Sequence, residues 1–96
     1  MSKKLPPIHP GEILLEDFMK PLDLSSNALA KRLHVPPNRI SMVVAGKRDI
    51  TADTALRLER AFGSSAEFWL NLQTRFELET AKDTVDGLDK IKPVAA

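Results

Sequence analysis

Six small or branched apolar residues, Leu29, Ala30, Leu33, Val35, Ile40 and Val43, straddle the pair Pro36-Pro37, and this spacing restricts the fold more than any other feature of the chain. Pro36 has no backbone donor and forces the residue before it out of the helical region, so a helix through Leu33 must stop there. Pro37 suits the first turn of a new helix, where its missing N–H costs nothing. Two short helices follow, about Ser26–Leu33 and about Pro37–Ala45, joined by a tight turn. Ala30 is small enough to let two helices cross closely, Val35 plugs the turn, and Ile40 and Val43 pack the second helix back onto the first. Gly46 can adopt the left-handed conformation that ends it.

The remaining segments also read as helices. A first helix is expected from about Gly11 to Met19, started by Pro10 and stopped by Pro21, with Ile13, Leu14 and Phe18 on its apolar side. Ser25 or Ser26 can cap the next helix. Thr51 caps another, with Leu58, Ala61 and Phe62 as its core stripe and Gly63 as its end. Ser65 caps the last, where Trp69, Leu72 and Phe76 recur at helical spacing. No segment alternates as a strand would. The expectation is an all-α fold of five helices. Residues 1–82 would form one domain, its last helix supplying packing and dimer contacts through Trp69, Leu72 and Phe76. Residues 83–96, containing Gly87 and Pro93, would form an extended or mobile tail.

The first pair of helices has the spacing of a helix-turn-helix, whose second helix enters the DNA major groove. Charge agrees with that role. The net charge of the 96-residue chain is only +1, but Leu24–Arg48 holds Lys31, Arg32, Arg39, Lys47 and Arg48 and no acid. The rest of the chain has more acids than bases. A basic segment within an acidic remainder offers one face to a polyanion. On the second helix, Pro37, Asn38, Arg39, Ser41 and Met42 are expected to face out or lie at the edge. Arg39 suits a guanine or a phosphate, Asn38 an adenine or the backbone, and Met42 a thymine methyl, while Ser41 permits close approach. Ser26 and Asn27, at the start of the first helix of the pair, and Lys47 and Arg48 suit phosphates.

Several functions have no support in the residues. There is no cysteine, so neither disulfides nor thiolate metal sites exist. His9 and His34, the two histidines, lie in separate segments with no spaced ligand set, so no metal is expected. No nucleophile, base and orienter can be grouped and no Gly-rich phosphate loop occurs, so neither an enzyme nor a cofactor is expected. No apolar run is long enough to span a membrane, and Met1 to Pro7, although it has two lysines, lacks the apolar stretch of a secretory signal. A cytoplasmic location is expected.

Three segments together resemble the HigA antitoxin family, a branch of the helix-turn-helix proteins related to phage repressors: His9-Pro10-Gly11-Glu12, then Ala45-Gly46-Lys47-Arg48-Asp49-Ile50-Thr51, then Glu67-Phe68-Trp69-Leu70-Asn71-Leu72-Gln73. The likeness runs from about Ile8 to Ala81. It implies a homodimer bound to an inverted-repeat operator in double-stranded DNA and repression of the protein's own operon. It also implies a toxin partner, commonly a small basic ribonuclease that cuts messenger RNA during translation. Three departures stand out. His34 occupies a turn position where Gly is usual, Asn27 replaces a common Gln, and Phe76-Glu77-Leu78 replaces Tyr-Asp-Leu. A stand-alone regulator without a toxin, and an interaction module that no longer reads DNA, remain alternatives at this point.

Overall fold

A computed structural model describes residues 5–95; Met1, Ser2, Lys3, Lys4 and Ala96, and with them most of the segment weighed as a secretory signal, lie outside the described residues. Five helices follow one another, and no strand occurs among the described residues. The first, α1, is α-helical over Pro10–Ile13, widens to a π-helix over Leu14–Met19 and tightens to a 3-10 turn over Lys20–Leu22. Next come α2 (Ser26–Leu33), α3 (Pro37–Val44), α4 (Ala52–Phe62) and α5 (Ala66–Thr84).

Pro21 does not stop α1, as the sequence suggests; it reshapes it. Without an N–H, Pro21 cannot close the usual bond to the carbonyl four residues back, and the backbone widens just before it. The Lys20 N–H reaches the carbonyl of Leu15, five residues back. The chain then leaves the helix through Asp23, in the left-handed region at φ 52°.

Three helix ends in succession use one device. At Asp23, His34 and Gly46 the backbone turns left-handed, and the N–H of the following residue bonds back to a carbonyl five residues earlier: Leu24 to Met19 at 2.9 Å, Val35 to Ala30 at 3.0 Å and Lys47 to Met42 at 2.9 Å. These bonds satisfy carbonyls that a helix end leaves unpaired. Gly46 takes the conformation freely, but His34, at φ 60° and ψ 45°, is strained, a state that costs an L-residue roughly 1–2 kcal/mol. This accounts for the unusual histidine in the turn: its side chain is exposed and its backbone carries the cost. Replacing His34 with Gly relieves the strain and loses some of the gain to unfolded-chain entropy, for a net stabilisation of about 1 kcal/mol. A thermal melt should show Tm rising by roughly 4–8 °C for such a gain in a domain this small; an unchanged or lowered Tm would mean that the turn is unstrained.

The caps anticipated at Thr51 and Ser65 form. Thr51 Oγ1 accepts from the Thr54 N–H at 3.4 Å, and Ser65 Oγ from the Phe68 N–H at 3.1 Å. Of the two candidates before α2, Ser25 is the cap, its Oγ accepting from the Ala28 N–H at 3.1 Å. The core consists of Leu14, Met19, Leu29, Ala30, Leu33, Ile40, Val43, Ile50, Ala55, Leu58 and Trp69. Of the stripe expected on α4, Leu58 is buried and Phe62 packs half-buried against the core, but Ala61 is exposed, and Thr54 and Ala55 complete the buried face. Trp69 has no exposed surface. It sits between Phe18 and Phe68, with ring centroids 4.8 and 5.0 Å away, so of its two anticipated roles it fills the core one. Leu72 and Phe76 are half-buried. Beyond α5 the chain makes one further 3-10 turn at Leu88–Lys90, leaving Val85, Leu88, Ile91 and Val94 exposed.

Candidate nucleic-acid interface

α2 and α3 pack closely, and α3 buries Ile40 and Val43 against the core. One buried side leaves one free side. Asn38, Ser41, Met42 and Ala45 stand at spacings of three and four and are all exposed, so they share a face. Met42 shows 37% of its surface. Ser41 Oγ donates to the Asn38 carbonyl at 3.3 Å, which keeps this face low and close to the helix backbone. Pro37 is exposed at the helix start, and Lys47 and Arg48 are exposed just beyond its end. At the start of α2, Asn27 is exposed and Ser26 half-buried.

Arg39 lies at the edge of this face. It does not face out with its neighbours but folds back against α4, with its side chain 23% exposed. Its Nη1 donates to Asp53 Oδ2. The same carboxylate oxygen accepts from Arg57 Nε at 3.1 Å, and Arg57 Nη1 donates to the Leu33 carbonyl at 2.7 Å. One chain of charge-assisted bonds thus links the start of α3, the first turn of α4 and the last turn of α2. Bonds from Arg57 and then Arg39 hold the Asp53 carboxyl below the usual carboxylate range. The sequence reading missed Asp53 and Arg57. Their i, i+4 spacing on one helix was the available signal, but nothing local says that Arg39, fourteen residues earlier, joins them.

Three further groups brace this face from behind. Gln73, buried in α5, accepts from the Ile50 N–H at 2.8 Å through Oε1 and donates to Glu77 at 2.9 Å through Nε2. It fixes the strand of chain leaving α3. His9 caps α1 by accepting from the Gly11 N–H at 2.9 Å through Nδ1, and its ring packs edge-on against Phe76 at 4.8 Å and beside Gly46. Gly11 itself lies flat on the carbonyl of Val43, in the last turn of α3. The opening residues therefore position the end of α3.

His9 must be neutral to accept through Nδ1, which puts its proton on Nε2, a buried atom with no partner. Burial lowers its pKa below 6.5, against a smaller opposing effect of Asp49. The unfolded state therefore binds a proton first. Stability is full above about pH 6.5 and falls as pH drops from there to the folded-state pKa. Tm measured at pH 7.5 and pH 5 should show that drop, and His9→Asn, which keeps a capping acceptor that cannot titrate, should lessen it; an equal drop in both proteins would assign the dependence to other groups.

Residues 15–69 match the helix-turn-helix family model. The chain belongs to the helix-turn-helix family, in its HigA branch. A solved addiction-module antidote protein of the HigA family from Coxiella burnetii is 46% identical, with a TM-score of 0.85 over 93% of this chain and 99% of its own. A Pseudomonas aeruginosa protein, crystallised with its 18-base-pair operator DNA, is 41% identical, with a TM-score of 0.88 over 95% of this chain and 100% of its own. Virulence-associated protein I of Dichelobacter nodosus is 51% identical over 98% of this chain and 87% of its own length. Within this helix-turn-helix family chain, the described residues contain no group of metal-ligating side chains and no helix long and apolar enough to cross a membrane.

Proposed function

We propose that this chain is a dimeric, sequence-specific DNA-binding repressor that acts in the cytoplasm as the antitoxin of a toxin–antitoxin pair, and that it has no catalytic activity. The observation that carries this reading is the exposed face of Asn38, Ser41 and Met42 on the second helix of a helix-turn-helix. Its support is the fold shared with a relative crystallised on operator DNA. Two copies would set their α3 helices in successive major grooves, roughly 34 Å apart, on an inverted repeat. Asn38, Ser41 and Met42 would meet base edges, with Pro37 at the groove mouth. Ser26, Asn27, Lys47 and Arg48 would hold phosphates. The partner is a small basic ribonuclease, which the excess of acids outside Leu24–Arg48 suits.

Titration of the DNA upstream of its own gene tests the first half. Binding should weaken steeply with salt, and Lys47→Ala should weaken it for all sequences and lower the salt slope by about one. Salt-insensitive binding would favour an interaction module that no longer reads DNA. Co-expression with the neighbouring small basic reading frame tests the second half: a stable complex and restored growth are expected, and a neighbour that neither binds nor is toxic would leave a regulator without a toxin.

A further inference from the structure

The Arg39 guanidinium, placed by sequence on the base-reading face, is committed elsewhere. Bidentate recognition of guanine O6 and N7 requires two adjacent N–H groups on one edge of the guanidinium, either Nη1 with Nη2 or Nε with Nη2. Nη1 donates to Asp53, and Nε is buried with no partner. Burial closes the Nε–Nη2 edge, and the Asp53 bond draws the Nη1–Nη2 edge toward α4, off the face that Asn38, Ser41 and Met42 share. Asp53 in turn is fixed by Arg57, which is anchored on the Leu33 carbonyl. The tether thus begins at the end of one helix of the pair and terminates at the start of the other.

We infer that Arg39, drawn aside by Asp53, does not read a base and meets the DNA backbone through the N–H groups which that bond leaves free, that Asp53 is the residue that positions it, and that discrimination falls on Asn38, Ser41 and Met42. This rests on the proposed DNA-binding function. Asp53 also neutralises part of the positive charge that Arg39 would bring to the phosphates. It therefore tempers binding to DNA of any sequence and raises the share of binding that comes from base contacts. Met42 presents an apolar surface for a thymine methyl, and Asn38 the donor and acceptor pair that matches adenine N7 and N6.

The test compares two labelled duplexes of equal length and composition, the upstream operator and a scrambled version, titrated across a range of salt. The native protein should prefer the operator. Arg39→Ala should weaken both duplexes by a similar factor, roughly tenfold, leave the ratio between them within about twofold and lower the salt slope by about one. Arg39→Lys, which keeps the charge and covers the case in which the alanine variant does not fold, should also hold that ratio. Asn38→Ala should cut the ratio by roughly 5- to 150-fold, the loss expected when a bidentate base contact is removed. Asp53→Asn frees Arg39 from a charged partner, so scrambled DNA should bind several-fold more tightly, with a salt slope steeper by about one. A role for Asp53 in stability alone would lower Tm and leave that slope unmoved, and that result would overturn its positioning role. A tenfold or greater loss of the ratio in Arg39→Ala and Arg39→Lys would overturn the inference by making Arg39 a base reader. Equal affinity of the native protein for both duplexes would overturn sequence-specific binding itself, and with it the inference; it is read before any variant is made.

Discussion

Replacing Gly11 with Ala should destabilise the protein more than the same change at Gly46, Gly63 or Gly87. A Cβ at position 11 would stand 1.8 Å from the Val43 carbonyl oxygen and 2.6 Å from its carbon. Both are backbone atoms in the last turn of α3, so no side chain can swing aside. Either α1 lifts from α3 or α3 shifts along its own axis. The cost should exceed about 3 kcal/mol, a large share of the 5–15 kcal/mol that holds a typical domain together. Chemical denaturation should show the midpoint falling with an unchanged slope. DNA affinity should fall further than the loss of folded fraction explains, because the contact sits under the proposed reading helix. A midpoint within 1 M urea of the native value would show that α1 and α3 separate easily.

Trp69→Ala should come second. Trp69 is fully buried, with Phe18 and Phe68 packed against it and Phe62 behind Phe18. Truncation leaves a cavity that three partly exposed rings cannot fill, and such a change costs roughly 3–5 kcal/mol. The indole Nε1–H is buried without a partner, so part of the ring's packing gain is already offset. Trp69→Phe, which drops that donor and keeps most of the apolar volume, should therefore cost much less than the alanine variant. Equal losses for both would indicate that the indole N–H is satisfied.

The helices and their ends were legible because the signals are local. Pro36 and Pro37 mark a break, Gly46 and Gly63 mark ends, and Thr51 and Ser65 mark starts; each acts within one turn of its own position. The buried set on α2 and α3 was legible for the same reason. What could not be seen depends on partners distant in sequence. The direction of Arg39 is set by Asp53 on another helix, and the burial of Gln73 by the Ile50 N–H, twenty-three residues away. A polar residue in an amphipathic helix gives no sign that it faces inward. Gly11 looked like part of a helix start, and only packing against Val43 shows why no larger residue fits. Of the expected stripe of α4, Leu58 is buried and Ala61 is not; packing against the rest of the fold covers Thr54 and Ala55 in its place.

The succession of left-handed helix ends at Asp23, His34 and Gly46 has a kinetic consequence. Each end is closed by hydrogen bonds that span no more than five residues, so bringing the partners together costs little loop entropy. The turns that follow α1, α2 and α3, the last two of which carry the proposed DNA surface, can therefore form from local contacts alone. The long-range contacts of α5, Trp69 beside Phe18, Gln73 on Ile50 and Phe76 on His9, require α5 to return across the molecule and would close last. Folding order would then run with the chain, from the DNA-facing half to the helix that seals it, and unfolding would begin with the release of α5.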